Sequence, residues 1–193
     1  MSRTKSFNED EVLDQLADLF WSQGYEATSI SDLEERVGLG RQSLYNAFGD
    51  KRAIFLRALS RYRDQGGAQL KETILKEDAG LNELAAYFDT LARFLTDGTE
   101  RRACLIGNSL VELAASDAGV LGECQRNERR VMGGLEYALR NAVERGELAS
   151  DLDIGATSRA LMAHTYGLSA LSKSGATIEE LRGATRALLE RLK

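Results

Sequence analysis

The chain has 193 residues, no proline, one histidine and a net charge of −5. Helix-forming residues dominate and strand-like alternation is absent over any useful length, so the composition predicts an all-α protein. The acidic balance argues against a nonspecific nucleic-acid binder, and no apolar run approaches the roughly twenty residues of a membrane span. Because Cys104 and Cys124 do not form a disulfide framework and no signal-peptide pattern is present, we expect a cytoplasmic protein.

The N-terminal region begins with a polar, basic segment. Residues 1 to 7 predict a flexible arm in which Arg3 and Lys5 would reach phosphates or the minor groove, the alternative being a disordered tail. Asn8 with Glu11 then forms a capping pattern that starts a helix. The apolar stripe of this helix, which ends near Gly24, consists of Val12, Leu13, Leu16, Ala17 and Phe20.

Residues 31–48 predict two short helices joined by a tight turn. Ser31 and Glu34 have capping-box spacing, and Gly38 stands where a helix ends in the left-handed region. A second helix follows Gly40, with Leu44 and Phe48 on its buried side. Its outward side is predicted to carry Arg41, Gln42, Ser43, Tyr45 and Asn46.

Two short helices joined by a glycine-containing turn form a helix-turn-helix, whose second helix enters the DNA major groove. Arginine suits guanine edges, and glutamine or asparagine suits adenine edges. The predicted base contacts are therefore Arg41 and Gln42, with Asn46 and Tyr45 as secondary candidates, although the chemistry of Tyr45 suits a phosphate better. The predicted phosphate contacts are Thr28, Ser43 and Lys51. The alternative is a corner in a helical interaction protein that does not bind DNA.

The placement of charge favours DNA binding more than the total does. Residues 1–65 hold nine Lys or Arg against eleven Asp or Glu. The acidic residues fall mainly in the supporting helices, whereas Arg41, Lys51 and Arg52 fall in or beside the second helix. A local patch decides the electrostatics of binding.

These residues resemble the N-terminal signature of TetR-family transcriptional regulators over roughly the first sixty residues. The core of the resemblance is Leu44-Tyr45-x-x-Phe48-x-x-Lys51. Three positions depart from the usual pattern: Gly40 replaces a common Ser, Gln42 a common Gly and Ala47 a common His. The resemblance implies a homodimeric repressor, not an enzyme, that binds a palindromic operator and is released by a small organic effector.

The connecting helix is predicted to follow directly. Asp50 can cap a helix that begins at Lys51, and Gly66-Gly67 marks a weakness or bend in it. We assign residues 1–50 to the DNA-binding domain, 51–77 to the connecting helix and 78–193 to a larger helical domain for effector binding and dimerisation.

The second domain contains a polar line that predicts a pocket. In a helix expected from Ala103 to Ala115, Cys104, Asn108 and Glu112 recur every fourth residue. We predict that these three side chains, with Tyr166, contact the effector. The alternatives are a solvated face or a simply buried cysteine. A further alternative is a redox or electrophile switch at Cys104, next to Arg101 and Arg102.

The C-terminal helices predict a dimer interface. The expected helix starts are Leu81, Asp117, Asp153 and Thr177, the last with Glu180 in a capping box. The final two helices have nearly heptad stripes and would form a four-helix bundle between two chains, the alternative being packing within one chain. His164 is expected to bond a neighbour. We predict no catalytic residues, no metal site and no cofactor.

Overall fold

The computed structural model describes residues 7–97 and 103–193. Arg3, Lys5, Arg101 and Arg102, to which roles were assigned above, lie outside these ranges. Within them the chain is helical and contains no strand, in agreement with the all-α prediction. The helices are α1 Glu9–Gln23, α2 Ile30–Val37, α3 Arg41–Phe48, α4 Lys51–Glu72, α5 Leu81–Thr96, α6 Leu105–Leu113, α7 Ala118–Glu144, α8 Ile154–Lys173 and α9 Ile178–Glu190.

Helices α1 to α3 pack on the first half of α4 around one apolar core. Leu16, Leu33 and Leu44, one from each of the first three helices, are fully buried. They meet the α4 residues Ile54 and Phe55 in the same cluster. Burial of apolar surface stabilises this packing by about 25 cal/mol per Å², and it holds the short helix α3 against the other three helices.

The start of α2 differs from the expected one. The capping box is formed by Ser29 and Asp32, and the helix begins at Ile30. The prediction of Ser31 and Glu34 was therefore wrong by two residues. The Glu34 carboxylate instead accepts a hydrogen bond from the Arg41 backbone N–H at 2.5 Å, which helps to cap the next helix. Gly38 has φ 66°, so the predicted left-handed end of α2 is confirmed.

Helix α4 connects the two halves of the molecule. The Asp50 carboxylate accepts from the Ala53 N–H, which confirms the predicted cap, but α4 ends at Glu72 and not at residue 77. The helix is continuous through Gly66-Gly67. At Gly67 a Cβ would lie 1.8 Å from Nη2 of Arg130, so this glycine leaves room for a guanidinium that donates to the Arg63 carbonyl. The absence of a side chain at Gly67 therefore allows Arg130 to pack against α4.

The C-terminal domain packs α5, α7, α8 and α9 around a second core. Phe88, Leu135, Leu161 and Leu181, one from each helix, are fully buried in it. The predicted caps Asp117, Asp153 and Thr177 are all confirmed. Helix α6 begins at Leu105 with Cys104 as its N-cap, slightly later than expected. None of the helices in the described ranges is long and apolar enough to cross a membrane.

Helices α8 and α9 expose a face of small residues. Exposed small residues recur along α8 at Ala160, Ala163, Gly167 and Ala170, and along α9 at Gly183 and Ala187. A Cβ added at Gly167 or Gly183 would meet nothing within 4 Å. His164 lies nearby, half-buried, with Nε2 3.0 Å from Thr185 Oγ1 and its ring against Phe88. The expectation that it bonds a neighbour is met.

Candidate functional site

Helix α3 protrudes with its polar side facing outward. Leu44 and Phe48 are buried, at 0% and 4% exposure, and anchor the helix on the α1–α4 core. Every residue assigned to its outward side in the sequence is exposed, namely Arg41, Gln42, Ser43, Tyr45 and Asn46. Because a recognition helix reads DNA with the side chains that point away from its own domain, this geometry suits major-groove insertion.

Polar side chains of α3 contact one another and the neighbouring helix α2. The Gln42 side-chain amide donates to Asn46 Oδ1 at 2.9 Å. Arg41 Nε lies 3.7 Å from a Glu34 carboxylate oxygen, and the Arg41 side chain remains 59% exposed. Loose pairing of this kind leaves the guanidinium available to another acceptor, since exposed ion pairs contribute little to stability.

The two predicted phosphate-binding residues outside α3 have different surroundings. Lys51, at the start of α4, is half-buried, with Nζ 4.3 Å from the centroid of the Tyr25 ring. This cation–π contact holds the ammonium group over the Tyr25 ring, and Lys51 is itself the first residue of α4, where the helix N-terminus favours an anion. Thr28, in contrast, is fully buried and its hydroxyl donates to the Gly24 carbonyl at 2.6 Å. The assignment of the Thr28 side chain to a phosphate does not fit this structure.

A cavity of about 510 Å³ lies between the two domains. Helix α1 contributes Trp21, α4 contributes Tyr62, and α5 contributes Phe94, while Cys104 precedes α6. Helices α7 and α8 close the far side with Asn127, Val131, Met162, Thr165 and Tyr166. A volume of this size, mostly apolar with a few polar groups, is typical of a site for a small organic molecule.

One wall of the cavity is aromatic. The rings of Trp21 and Phe94 stack with centroids 5.3 Å apart and an interplanar angle of 17°, and Tyr62 meets Trp21 edge-on at 5.5 Å. Trp21 Nε1 also donates to the Ala103 carbonyl at 2.7 Å. Trp21 lies outside the apolar stripe predicted for this helix, and nothing in the sequence shows that a residue of α1 would line a cavity of the second domain.

The hydroxyl of Tyr166 is the distinctive polar group of the cavity. It is buried and has no hydrogen-bond partner among the residues that the structure describes. Burial is the main cause that raises the pKa of this phenol, so the group stays protonated and able to donate. Burial likewise raises the pKa of the neighbouring Tyr87 to about 12. The structure therefore places Tyr166 where the sequence predicted it, on the wall of a pocket.

The three residues of the predicted polar line, Cys104, Asn108 and Glu112, do not share one site. Cys104 lines the cavity, with Sγ 3.8 Å from the Tyr62 hydroxyl. Asn108 is not among the residues that line the cavity. Glu112 lies at the other end of the helix, where its carboxylate accepts from the backbone N–H groups of Glu26 at 3.0 Å and Tyr25 at 3.4 Å. The prediction that all three form one effector site was wrong for Asn108 and Glu112.

The described residues contain no set of side chains that could bind a metal ion. No group of three or more His, Cys, Asp or Glu side chains within residues 7–97 and 103–193 is placed to hold a metal ion.

The second cysteine, Cys124, is only 1% exposed, and burial is the main cause that raises the pKa of its thiol to about 11.

Comparison with known proteins agrees with both halves of this geometry. Residues 12–58 match the model of bacterial regulatory proteins of the tetR family, and residues 80–188 match that of the tetracyclin repressor-like C-terminal domain. The chain is 30% identical over 183 residues to the uncharacterized HTH-type transcriptional regulator YezE of Bacillus subtilis, covering 94% of each. It is 29% identical to the HTH-type transcriptional repressor ComR of Escherichia coli, covering 93% of this chain and 86% of that protein.

A solved structure extends the likeness to the whole chain. The TetR family transcriptional regulator CifR, in complex with 26-bp double-strand operator DNA, superposes with a TM-score of 0.87 at 25% identity and covers 99% of this chain and 100% of that one. An exposed recognition helix, an interdomain cavity and two matching family models therefore agree. The chain belongs to the TetR family of transcriptional regulators.

Proposed function

We propose that this regulator is a homodimeric repressor that binds a palindromic operator through α3 and is released by a small organic effector in the interdomain cavity. The observation that carries the proposal is the outward display of Arg41, Gln42 and Tyr45 over a buried Leu44 and Phe48. CifR, of similar fold, was solved with operator DNA. The protein would act in the cytoplasm, where the chromosome lies.

Base contacts are assigned to the first turns of α3. Arg41 and Gln42 would bond base edges, with Tyr45 and Asn46 beside them, and Ser43 and Lys51 would bond phosphates. Thr28 is omitted because its hydroxyl is buried and already bonded to Gly24.

Dimerisation is assigned to the exposed small residues of α8 and α9. Ala163, Gly167 and Gly183 allow another helix pair to approach closely, and the space beside both glycines is open. Two helices from each chain would form a four-helix bundle and place two copies of α3 on one side, about one DNA turn apart.

The effector is proposed to bind between Trp21, Phe94 and Tyr166. The aromatic wall favours a molecule with a flat apolar part, and the unpaired Tyr166 hydroxyl favours a hydrogen-bond acceptor on it. To release DNA, it must bind the DNA-incompetent arrangement more tightly, by about 1.4 kcal/mol for each tenfold loss of affinity.

Selection of binding sites from random duplex DNA tests this proposal. The expected result is an enriched palindrome with half-sites about one helical turn apart, bound by a dimer. Replacement of Arg41 with Ala should abolish the enrichment without altering the helical content. A protein that enriches no duplex sequence, or an Arg41 variant that enriches the same palindrome equally well, would exclude the proposal.

A second candidate function is sensing of electrophiles through Cys104. The supporting observation is that Cys104 lines the cavity and is half-exposed, whereas Cys124 is buried. An α,β-unsaturated carbonyl compound would add to the thiolate: a sulfur–carbon bond forms at the β-carbon, the carbon–carbon π bond breaks, and the α-carbon takes a proton from water. Operator affinity that is unchanged after stoichiometric alkylation of Cys104 would exclude this candidate.

A further inference from the structure

Helix α6 spans the distance between the cavity and the DNA-binding domain. At its start, Cys104 lines the cavity and its backbone N–H donates to Ser169 Oγ of α8 at 2.8 Å. The preceding Ala103 has φ 59°, a strained value for a residue with a Cβ, and its carbonyl accepts from Trp21 Nε1. The first residues of this segment therefore contact the aromatic wall where an effector would bind.

At its other end, α6 contacts the loop between α1 and α2, residues 24–29. Glu112 Oε1 accepts from the Glu26 N–H at 3.0 Å, and Oε2 lies 3.4 Å from the Tyr25 nitrogen. Gly24 has φ 85°, and a Cβ there would lie 3.3 Å from Glu112 Oε2. The glycine thus both permits the turn and leaves room for the carboxylate.

The loop held by Glu112 determines where α2 begins. Within the loop, the Thr28 hydroxyl bonds the Gly24 carbonyl, and Ser29 caps α2. Helix α2 in turn supports α3 through Leu33 and Leu44 in the shared core. A displacement of α6 along its axis would either pull this loop or break both hydrogen bonds to the carboxylate.

We propose that Glu112 is the positioning residue through which occupancy of the cavity at Cys104 controls the placement of α3. From Cys104 to Glu112 is eight residues, so one short helix of about 12 Å transmits the displacement as a rigid rod. The hydrogen bonds are charge-assisted and made to backbone amides, which makes the contact independent of the loop's side chains. This inference rests on the proposed function, because it assumes that α3 binds an operator.

Hydrogen exchange tests the contact without any ligand or DNA. In a Glu112→Ala variant the amide of Glu26 should exchange at least tenfold faster than in the wild type, whereas core amides of α1 should exchange as before. Glu112→Gln retains one acceptor oxygen and should give an intermediate rate. The matched control is Glu144→Ala, which removes an exposed glutamate near the end of α7. Equal exchange of Glu26 in all variants would overturn the proposal.

Covalent filling of the cavity tests the coupling. N-ethylmaleimide is used to alkylate Cys104, with Cys104→Ser showing that the label goes to this residue, and affinity for the selected operator is measured before and after. Labelling should weaken operator binding at least tenfold in the wild type and in Glu144→Ala, but less than twofold in Glu112→Ala. A merely structural role for Glu112 would lower affinity before labelling and leave this ratio unchanged.

The outcomes separate the inference from the proposed function. Equal loss of affinity on labelling in the wild type and in Glu112→Ala overturns the inference, as does a labelled wild type that binds the operator unchanged. If the unlabelled wild type binds no operator at all, the proposed function fails, while the hydrogen-exchange result still decides whether Glu112 holds the loop.

Discussion

Arg52 and Asp117 join the start of α4 to the start of α7 through two hydrogen bonds. Arg52 Nε lies 2.6 Å from Asp117 Oδ2, and Nη2 lies 2.8 Å from Oδ1. Asp117 also caps α7 by accepting from the N–H groups of Gly119 and Val120. One carboxylate therefore caps the N-terminus of a helix in the C-terminal domain and also joins that helix to the start of α4.

We expect this ion pair to govern part of the acid sensitivity. The Arg52 guanidinium, assisted by the α7 amides, holds the pKa of Asp117 at about 2, below its ordinary value of 3.8. The resulting stabilisation is fully present above pH 3.8 and is lost as the pH falls towards 2. Asp117→Asn keeps a capping oxygen but removes the charge, so its stability should fall less steeply than that of the wild type between pH 4 and pH 2.

Circular dichroism during acid and urea titration measures this difference. Arg52→Met should reduce the same acid dependence, because the guanidinium is the main cause of the lowered pKa. If the wild type and Asp117→Asn lose stability in parallel over this range, the ion pair does not have the assigned effect.

Tyr166→Phe should leave the unliganded protein equally stable or make it more stable. The Tyr166 hydroxyl is buried without a partner in the described part of the chain, and such a group costs about 1–3 kcal/mol when desolvated. The ring would remain in place and only the unpaired oxygen would be lost. Thermal denaturation measures the effect. Tyr62→Phe, which removes a hydroxyl that contacts Cys104, provides the comparison. A clear fall in melting temperature for Tyr166→Phe would show that its hydroxyl has a partner in solution.

Trp21 should report occupancy of the cavity. It is the only tryptophan in the chain, and its ring stacks on Phe94 in the cavity wall. Any molecule that enters between these rings and Tyr166 changes the polarity around the indole, so its emission should shift. Titration of aromatic compounds that carry a carbonyl group, followed by tryptophan fluorescence, measures this. Binding seen by calorimetry at unchanged emission would place the ligand elsewhere.

Much of the fold could be predicted because its signals are local. Helix starts at Asn8, Asp50, Asp153 and Thr177 depend on side chains within three residues of the amides they cap. The error at α2 has a local cause as well. Ser29 with Asp32 and Ser31 with Glu34 have the same spacing, and the sequence does not show which pair the helix uses.

The site was harder to predict because its contacts are distant in the chain. Glu112 lies 86 residues from Glu26, and Trp21 lies 82 residues from Ala103. The four-residue spacing correctly put Cys104 and Glu112 at the two ends of one line along α6, but only the packing of α6 against α4 and α7 shows that this line leads from the cavity to the DNA-binding domain. Thr28 was misassigned for a different reason: its hydroxyl bonds the Gly24 carbonyl only four residues away, but its burial depends on the folded loop.

Lys51→Ala should weaken binding to all duplex sequences alike. Lys51 is the first residue of α4, whose N-terminus favours a bound phosphate, and its ammonium group lies over the Tyr25 ring. Loss of one phosphate contact reduces the slope of log affinity against log salt by about 1. Titrations of operator and random duplex at several salt concentrations measure this. Lys76→Ala, at an exposed lysine after α4, is the charge-matched control and should leave the slope unchanged. A change in sequence preference would reassign Lys51 to base contact.

In contrast to Lys51→Ala, the substitution Gln42→Ala should change which DNA sequence the protein prefers. Gln42 donates to Asn46 Oδ1, so the substitution removes one base-reading amide and frees another to adopt a different orientation. A bidentate contact between glutamine and adenine discriminates by about 1–3 kcal/mol, so preference at one position of each half-site should relax by about tenfold or more. Competition binding against a library of single-base operator variants measures it. Because no charge is lost, the salt dependence should stay that of the wild type, and an equal weakening at every operator variant would show that Gln42 contacts the backbone.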